Sequence, residues 1–227
     1  ADGDYGLAEL VDDVLAWVDE LGGEAPAHLV GHDWGSSLVQ LAAAKAPERV
    51  ASLILLAVGH PAAFAALLPH DFEQLARSWY INFLQVPGAA EALAADGRLL
   101  AWLWEHWSPG WTPDPDALAQ MLAAFRRPGV LDAALAYYRR AFLPNHPRAP
   151  ETLQLLGAPI PRPTLALGGA NDTCVLPRSF AAAFPQGIFS GGVEVLTLPG
   201  AGHFLHLEQP TEVGMVVSRW LLDRSKV

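Results

Sequence analysis

A single cysteine, Cys174, and two methionines stand among the 227 residues. One thiol excludes an intrachain disulfide and a thiolate metal cluster. The eight histidines form no His-Glu-x-x-His pair, so the sequence offers no metal site and the expected metal is none. Positive charge is scarce: 14 Lys and Arg against 24 Asp and Glu leave a net charge of −10, which excludes a basic footprint for nucleic acid or an anionic membrane. Long apolar runs are missing too. The longest charge-free apolar run, residues 50–59, is too short to span a bilayer, and the Ala-Asp-Gly-Asp-Tyr start shows no basic-then-apolar leader. The expectation is a cytoplasmic protein with no membrane and no nucleic-acid partner.

What is present is apolar. At 52% hydrophobic residues the chain can bury one large core, or a core plus a small subdomain. Leu7, Leu10, Val11, Val14, Leu15, Val18 and Leu21 recur at a helical period, and Gly22-Gly23 ends the run. Residues 27–30 read as the end of a buried strand, and residues 36–45 as a helix. Residues 50–58 are a continuous apolar run bounded by Gly59 and Pro61, as expected of a parallel strand covered on both faces. Residues 163–167 and 193–198 repeat that pattern, each ahead of a glycine-containing loop. Strand and helix in alternation predict an α/β protein with a doubly wound, mostly parallel sheet.

Residues 61–160, between the second and third of these strands, are too many for a βαβ crossover. They are helical in period and rich in aromatics: Trp79, Tyr80, Phe83, Trp102, Trp104, Trp107, Trp111, Phe125, Tyr137, Tyr138 and Phe142. They predict a helical cap inserted into a core built of residues 1–60 and 161–227, with proline-rich stretches at 144–150 and 159–163 marking the return. Most of the aromatics belong to core or pocket wall, as helical aromatic stripes do.

The chemistry concentrates in Gly31-His-Asp-Trp-Gly35, between a strand and a helix. In a nucleophile elbow of the form G-x-S-x-G, small flanking residues let the backbone take a strained turn that lifts the central side chain to the helix N-terminus. Here the central residue is Asp33. A carboxylate attacks alkyl carbon, which points to displacement at an epoxide or carbon–halogen bond through a covalent ester. A plain helix N-cap is the structural alternative.

An ester on Asp33 needs a base to activate water and a group to hold that base. His203, in the loop after residues 193–198, is the base; His206, three residues on, reads as a structural histidine facing the following helix. Asp172 follows residues 163–167 at the same carboxyl edge, where functional groups of open α/β sheets gather, and is the orienting acid. An Asx-turn is its structural alternative. Asp33, Asp172 and His203 then follow the chain order of α/β-hydrolases.

These stretches, with Gly168-Gly-Ala-Asn-Asp172, Gly202-His-Phe-Leu-His-Leu-Glu-Gln-Pro210 and Ser78-Trp-Tyr-Ile-Asn-Phe-Leu-Gln-Val-Pro-Gly88, make the chain similar to the epoxide hydrolase branch of the α/β-hydrolase superfamily, close to the haloalkane dehalogenases. The resemblance covers essentially the whole sequence. It implies two cap tyrosines at the epoxide oxygen, which map onto Tyr80 and onto Tyr138, with Tyr137 the weaker candidate; core packing is the alternative for each. It implies a small apolar epoxide and water as substrates, with no cofactor. Trp34 and His32 border the reacting centre. In the dehalogenase alternative, Trp34 and Trp79 would hold the leaving halide. A fluoroacetate-type enzyme fits less well, because the resemblance there calls for Arg after the nucleophile.

The same resemblance implies four strands and an oxyanion loop ahead of the helix that starts near Leu7, where this sequence has six residues. The expectation is therefore a hydrolase fold whose N-terminal strands are missing from this chain, leaving the Trp34 N–H as oxyanion donor and the strand at residues 27–30 at an open sheet edge. Such an edge invites pairing. A fragment or processed form, a second copy or partner chain completing the sheet, and a longer protein of which this is a part all fit. A third reading, from a different class, is an inactive truncated hydrolase acting as a binding or oligomerising module.

Overall fold

Strands that are apolar on both faces need cover on both sides: of the three runs that read this way, residues 50–58 and 163–167 occupy the middle of the sheet, whereas residues 193–198 form an edge strand whose side chains alternate between half-buried and exposed, because one side of it has no neighbour among the described residues. The computed structural model describes residues 3–94, 97–141 and 143–224. Its strands are β1 (Ala27–His32), β2 (Val50–Leu56), β3 (Thr164–Gly169) and β4 (Val193–Leu198), all parallel and in the spatial order β1-β2-β3-β4. The helices are α1 (Leu7–Gly22), α2 (Trp34–Lys45), α3 (Pro61–Leu67), α4 (Phe72–Arg77), α5 (Trp79–Phe83), α6 (Ala89–Ala94), α7 (Arg98–Trp107), α8 (Pro115–Phe125), α9 (Val130–Arg140), α10 (Ala149–Gly157), α11 (Pro177–Ala182), α12 (Leu205–Glu208) and α13 (Pro210–Arg224).

Side chains alternate across a strand, so β2 and β3 sort their residues between two layers. Ile54, Leu56, Leu165 and Leu167 pack with Val213 and Trp220 of α13. Leu53, Leu55 and Ala166 pack on the other side with Val39 and Ala43 of α2 and Phe180 of α11. Each buried Leu or Ile contributes roughly 1.5–3 kcal/mol relative to exposure. Sequence and structure agree here because continuous hydrophobicity and two-sided cover are the same requirement.

The flanking strand β1 is different. Its backbone pairs with β2 on one side, and Val30 is 55% exposed. It is an edge strand among the described residues, in line with the open edge expected from the missing strands, although the apolar run of residues 27–30 taken alone reads as buried. Between its free edge and α1 runs a groove of about 700 Å³ that includes Trp17, Leu21 and Val30.

Between β2 and β3 the described residues form helices α3 to α10 and no strand. Phe142, counted among the aromatics of this region, lies outside the described residues. The last of these helices, α10, falls between the two proline-rich stretches, with Pro150 in its first turn. Its Leu155 packs with Leu7 and Val11 of α1 and Leu38 of α2. Ion pairs reinforce that seam: Lys45 Nζ lies 2.6 Å from both Asp12 and Glu151. No helix of the described residues is long and apolar enough to cross a membrane.

Candidate active site

Parallel strands deliver their carboxyl ends to one edge, and there the three loops meet. The turn after β1 forms because Gly31 has no side chain: a Cβ there would stand 2.3 Å from the Gly35 carbonyl oxygen. Asp33 takes φ 52° and ψ −119°, a conformation costly for a residue other than glycine. Its N–H donates to Leu56 O at 3.2 Å and its carbonyl accepts from Ser37 N–H at 3.3 Å. The Asp33 side chain makes no capping hydrogen bond to α2. It is 32% exposed and lies with Oδ2 at 3.7 Å from His203 Nε2. Burial opposes its charge, but His203, His32 and the Trp34 N–H outweigh that and hold its pKa below the ordinary carboxylate value.

Asp172 divides its two oxygens. Oδ1 accepts the N–H groups of Cys174 at 2.7 Å and Val175 at 2.9 Å, so the Asx-type turn is real. Oδ2 pairs with His203 Nδ1 at 2.9 Å, and both side chains are closed to solvent. With Nδ1 donating to the carboxylate, Nε2 is directed at Asp33 and has no hydrogen-bond partner among the described residues. Burial by itself disfavours the charged ring; Asp172 and Asp33 together overcome it and raise the His203 pKa.

The backbone of the histidine loop is held at three successive amides. Gly202 N–H donates to Glu208 Oε2 at 2.7 Å, His203 N–H to Trp107 O at 3.2 Å, and Phe204 N–H to Ser108 Oγ at 3.2 Å. Ser108 Oγ in turn donates to Glu208 Oε1 at 2.6 Å. The Trp107 carbonyl also accepts from Thr173 N–H at 3.3 Å, so the end of α7 grips the Asp172 loop and the His203 loop together. A second clamp comes from Gln74 on α4, fully buried: its Nε2 donates to Cys174 O at 2.9 Å and to Ser78 Oγ at 3.2 Å, and its Oε1 accepts Leu176 N–H at 2.8 Å. Sequence reasoning missed Gln74, Ser108 and Glu208. Glu208 lies within the quoted His203 motif and was within reach. A polar residue that a short helix happens to bury, as Gln74 is, leaves no periodic signal.

Tyr80 and Tyr138 come together, with ring centroids 6.0 Å apart, and Trp34 lies edge-on to Tyr138 at 5.3 Å. Burial first, and among the further causes the negative charge of Asp33, push both phenol pKa values up, so both stay protonated. Tyr80 Oη also lies 3.4 Å from the buried Cys174 Sγ. Tyr137 packs with Tyr5 and the α1 layer. His32 Nε2 donates to His203 O at 2.9 Å, and its ring is 4.5 Å from that of His206. His206 thus backs His32, where the sequence suggested contact with the following helix. Trp79 is not brought to this group. Its ring lies tilted against those of Phe83 and Trp102, and it lines an outer groove with His106 and Arg77.

Among the described residues one cluster has metal-ligand chemistry, Asp4, Glu9 and His146, with donor atoms within 4.8 Å. Each already faces a protein group: His146 Nε2 lies 2.9 Å from Asp4 Oδ1, and Arg148 lies 3.4 Å from Glu9 Oε1. The Asp33 group itself sets one carboxylate, the His203 ring and a second carboxylate, Asp172, in a row.

Comparison with known proteins agrees with this geometry. The profile of the alpha/beta hydrolase fold matches residues 1–210. Human epoxide hydrolase 4 is 29% identical over 98% of this chain and 60% of its own length, and mouse epoxide hydrolase 3 is 30% identical over 96% and 58%. The chain thus spans about 60% of the length of the curated relatives it matches. A solved structure of epoxide hydrolase A from Mycobacterium thermoresistibile is 27% identical, with a TM-score of 0.70 over 94% of this chain and 74% of that one. A strained aspartate turn on a parallel sheet, matched along nearly the whole sequence, leaves one assignment: the chain belongs to the alpha/beta hydrolase fold family.

Proposed function

We propose that this chain carries the working residues of an epoxide hydrolase, which opens a small apolar epoxide to a vicinal diol. The observation that carries the reading is Asp33 itself: a carboxylate at the apex of a strained turn, free of a capping role, with His203 Nε2 3.7 Å away and Asp172 behind that ring. The curated relatives named epoxide hydrolase support the same reaction class.

Asp33 attacks an epoxide carbon, the carbon–oxygen bond breaks, and the oxygen takes a proton from Tyr80 or Tyr138. Two phenols aimed at developing negative charge are an oxyanion-type stabiliser. Esterification removes the charge of Asp33. That charge was helping to keep His203 protonated and both phenols protonated. Ester formation therefore makes each phenol a better acid and lowers the His203 pKa, so that the ring gives up its proton and stands in the neutral, proton-accepting form when water must be activated. The proton His203 releases restores the phenol. His203 Nε2 then takes a proton from water, hydroxide adds to the ester carbonyl beside the Trp34 N–H, and collapse of the adduct frees the diol and returns Asp33 as carboxylate. Water is the cosubstrate, and the helices of residues 61–160 serve as the cap.

The haloalkane dehalogenase alternative is weakened, because its second halide donor, Trp79, faces an outer groove. Diol formation from a phenyl-substituted epoxide, with Asp33→Ala as control, tests the reading. In His203→Gln, intact mass should reveal an ester on Asp33 that accumulates because water is no longer activated. Neither diol nor adduct would overturn it.

A further inference from the structure

Tyr80 and Tyr138 have a second surroundings besides Asp33. They form part of the wall of a cavity of about 150 Å³ completed by Leu100 and Leu103 of α7 and Met121 and Phe125 of α8. No charged side chain lines it among the described residues. Apart from the two phenols, the tryptophan indoles and the Met121 thioether, the wall that the described residues form is aliphatic and aromatic carbon.

Size and polarity both restrict an occupant. An apolar cavity of roughly 150 Å³ stays dry and takes a molecule the size of benzene. A carboxylate moved into such a wall would lose its hydration with no cation to replace it. We infer that this cavity receives one uncharged hydrocarbon group the size of a single aromatic ring. Resting on the epoxide reading, it follows that the substrates are epoxides bearing one such group, not epoxides of long chains or of carboxylic acids.

Trp104 and Trp107 line the cavity, so their fluorescence reports its occupancy without any chemistry. Toluene, benzoate and biphenyl are the probes: one ring, one ring with a charge, and two rings. Toluene should bind saturably, and benzoate and biphenyl about tenfold more weakly or worse. Ala134→Phe, which fills the cavity from α9, should weaken toluene by at least about tenfold with the circular dichroism unchanged; Met121→Phe serves the same purpose from α8 should the first variant fail to fold. Benzoate or biphenyl binding as well as toluene, or toluene binding unchanged in the filled variants, overturns the inference. Selective toluene binding without ring opening of a phenyl-substituted epoxide supports the cavity assignment and removes the epoxide reading. Ring opening without size or charge selection does the reverse.

Discussion

His203 Nε2 lies 3.7 Å from Asp33 Oδ2, beyond direct hydrogen-bond length yet close enough for each charge to move the other's pKa. The separation leaves the ring aimed at Asp33 without being spent on it. Asp33→Asn should therefore lower the His203 pKa, read by NMR titration of the imidazole. An unchanged titration would mean that Asp172 alone sets the charge of the ring.

The same raised pKa fixes a stability trend. A histidine whose folded-state pKa exceeds its ordinary 6.5 contributes fully below that value, and the contribution fades as pH rises through the folded-state pKa. Urea denaturation of the wild type should show stability falling from neutral toward alkaline pH, and the slope should be smaller in His203→Gln. Equal slopes would separate His203 from the alkaline loss.

Tyr80 and Tyr138 should act on ring opening and little on ester hydrolysis. Removing one such donor costs about 10²–10³ in rate where it stabilises an oxyanion. Tyr80→Phe and Tyr138→Phe should each slow single-turnover ester formation toward that range, while Tyr137→Phe, packed against Tyr5, should leave it near wild type. If Tyr137 matched the other two, the assignment of the phenols would fall.

Gly31 and Gly35 flank Asp33 symmetrically in sequence and asymmetrically in space. A Cβ on Gly31 would strike the Gly35 backbone at 2.3 Å, whereas one on Gly35 meets nothing within 4 Å. Gly31→Ala should destabilise by more than about 2 kcal/mol, as backbone displacement at a strained turn does, and Gly35→Ala should change the urea midpoint little. Similar midpoints would contradict the geometry of the turn.

Glu208 and Ser108 should hold the histidine loop. Glu208→Ala leaves the Gly202 N–H without its acceptor, a loss of about 1–3 kcal/mol if no water replaces it. Ser108→Ala removes the partner of the Phe204 N–H and should cost a similar amount in chemical denaturation. Because both changes loosen one segment, the double variant should cost less than the sum.

The sequence by itself determined the parallel sheet and the long helical stretch between its second and third strands, and it singled out Asp33, Asp172 and His203, whose side chains the fold brings together. Periodicity, continuous apolar strands and strand-end loops are local properties, and parallel strands bring such loops to one edge without further information. It also separated Tyr138 from Tyr137 by motif, a choice that side-chain direction on α9 supports.

Tertiary structure decided the rest. It made residues 193–198 an edge strand with alternating burial, because whether a strand has two neighbours is a property of the assembled sheet. It turned Trp79 outward and His206 against His32, since rotation of a short helix about its axis depends on what it packs against. Gln74, Ser108 and the Trp107 carbonyl became the clamps of the Asp172 and His203 loops through contacts between elements about a hundred residues apart in sequence. A hydrogen bond between such elements has no period and no local pattern, so only the folded chain reveals it.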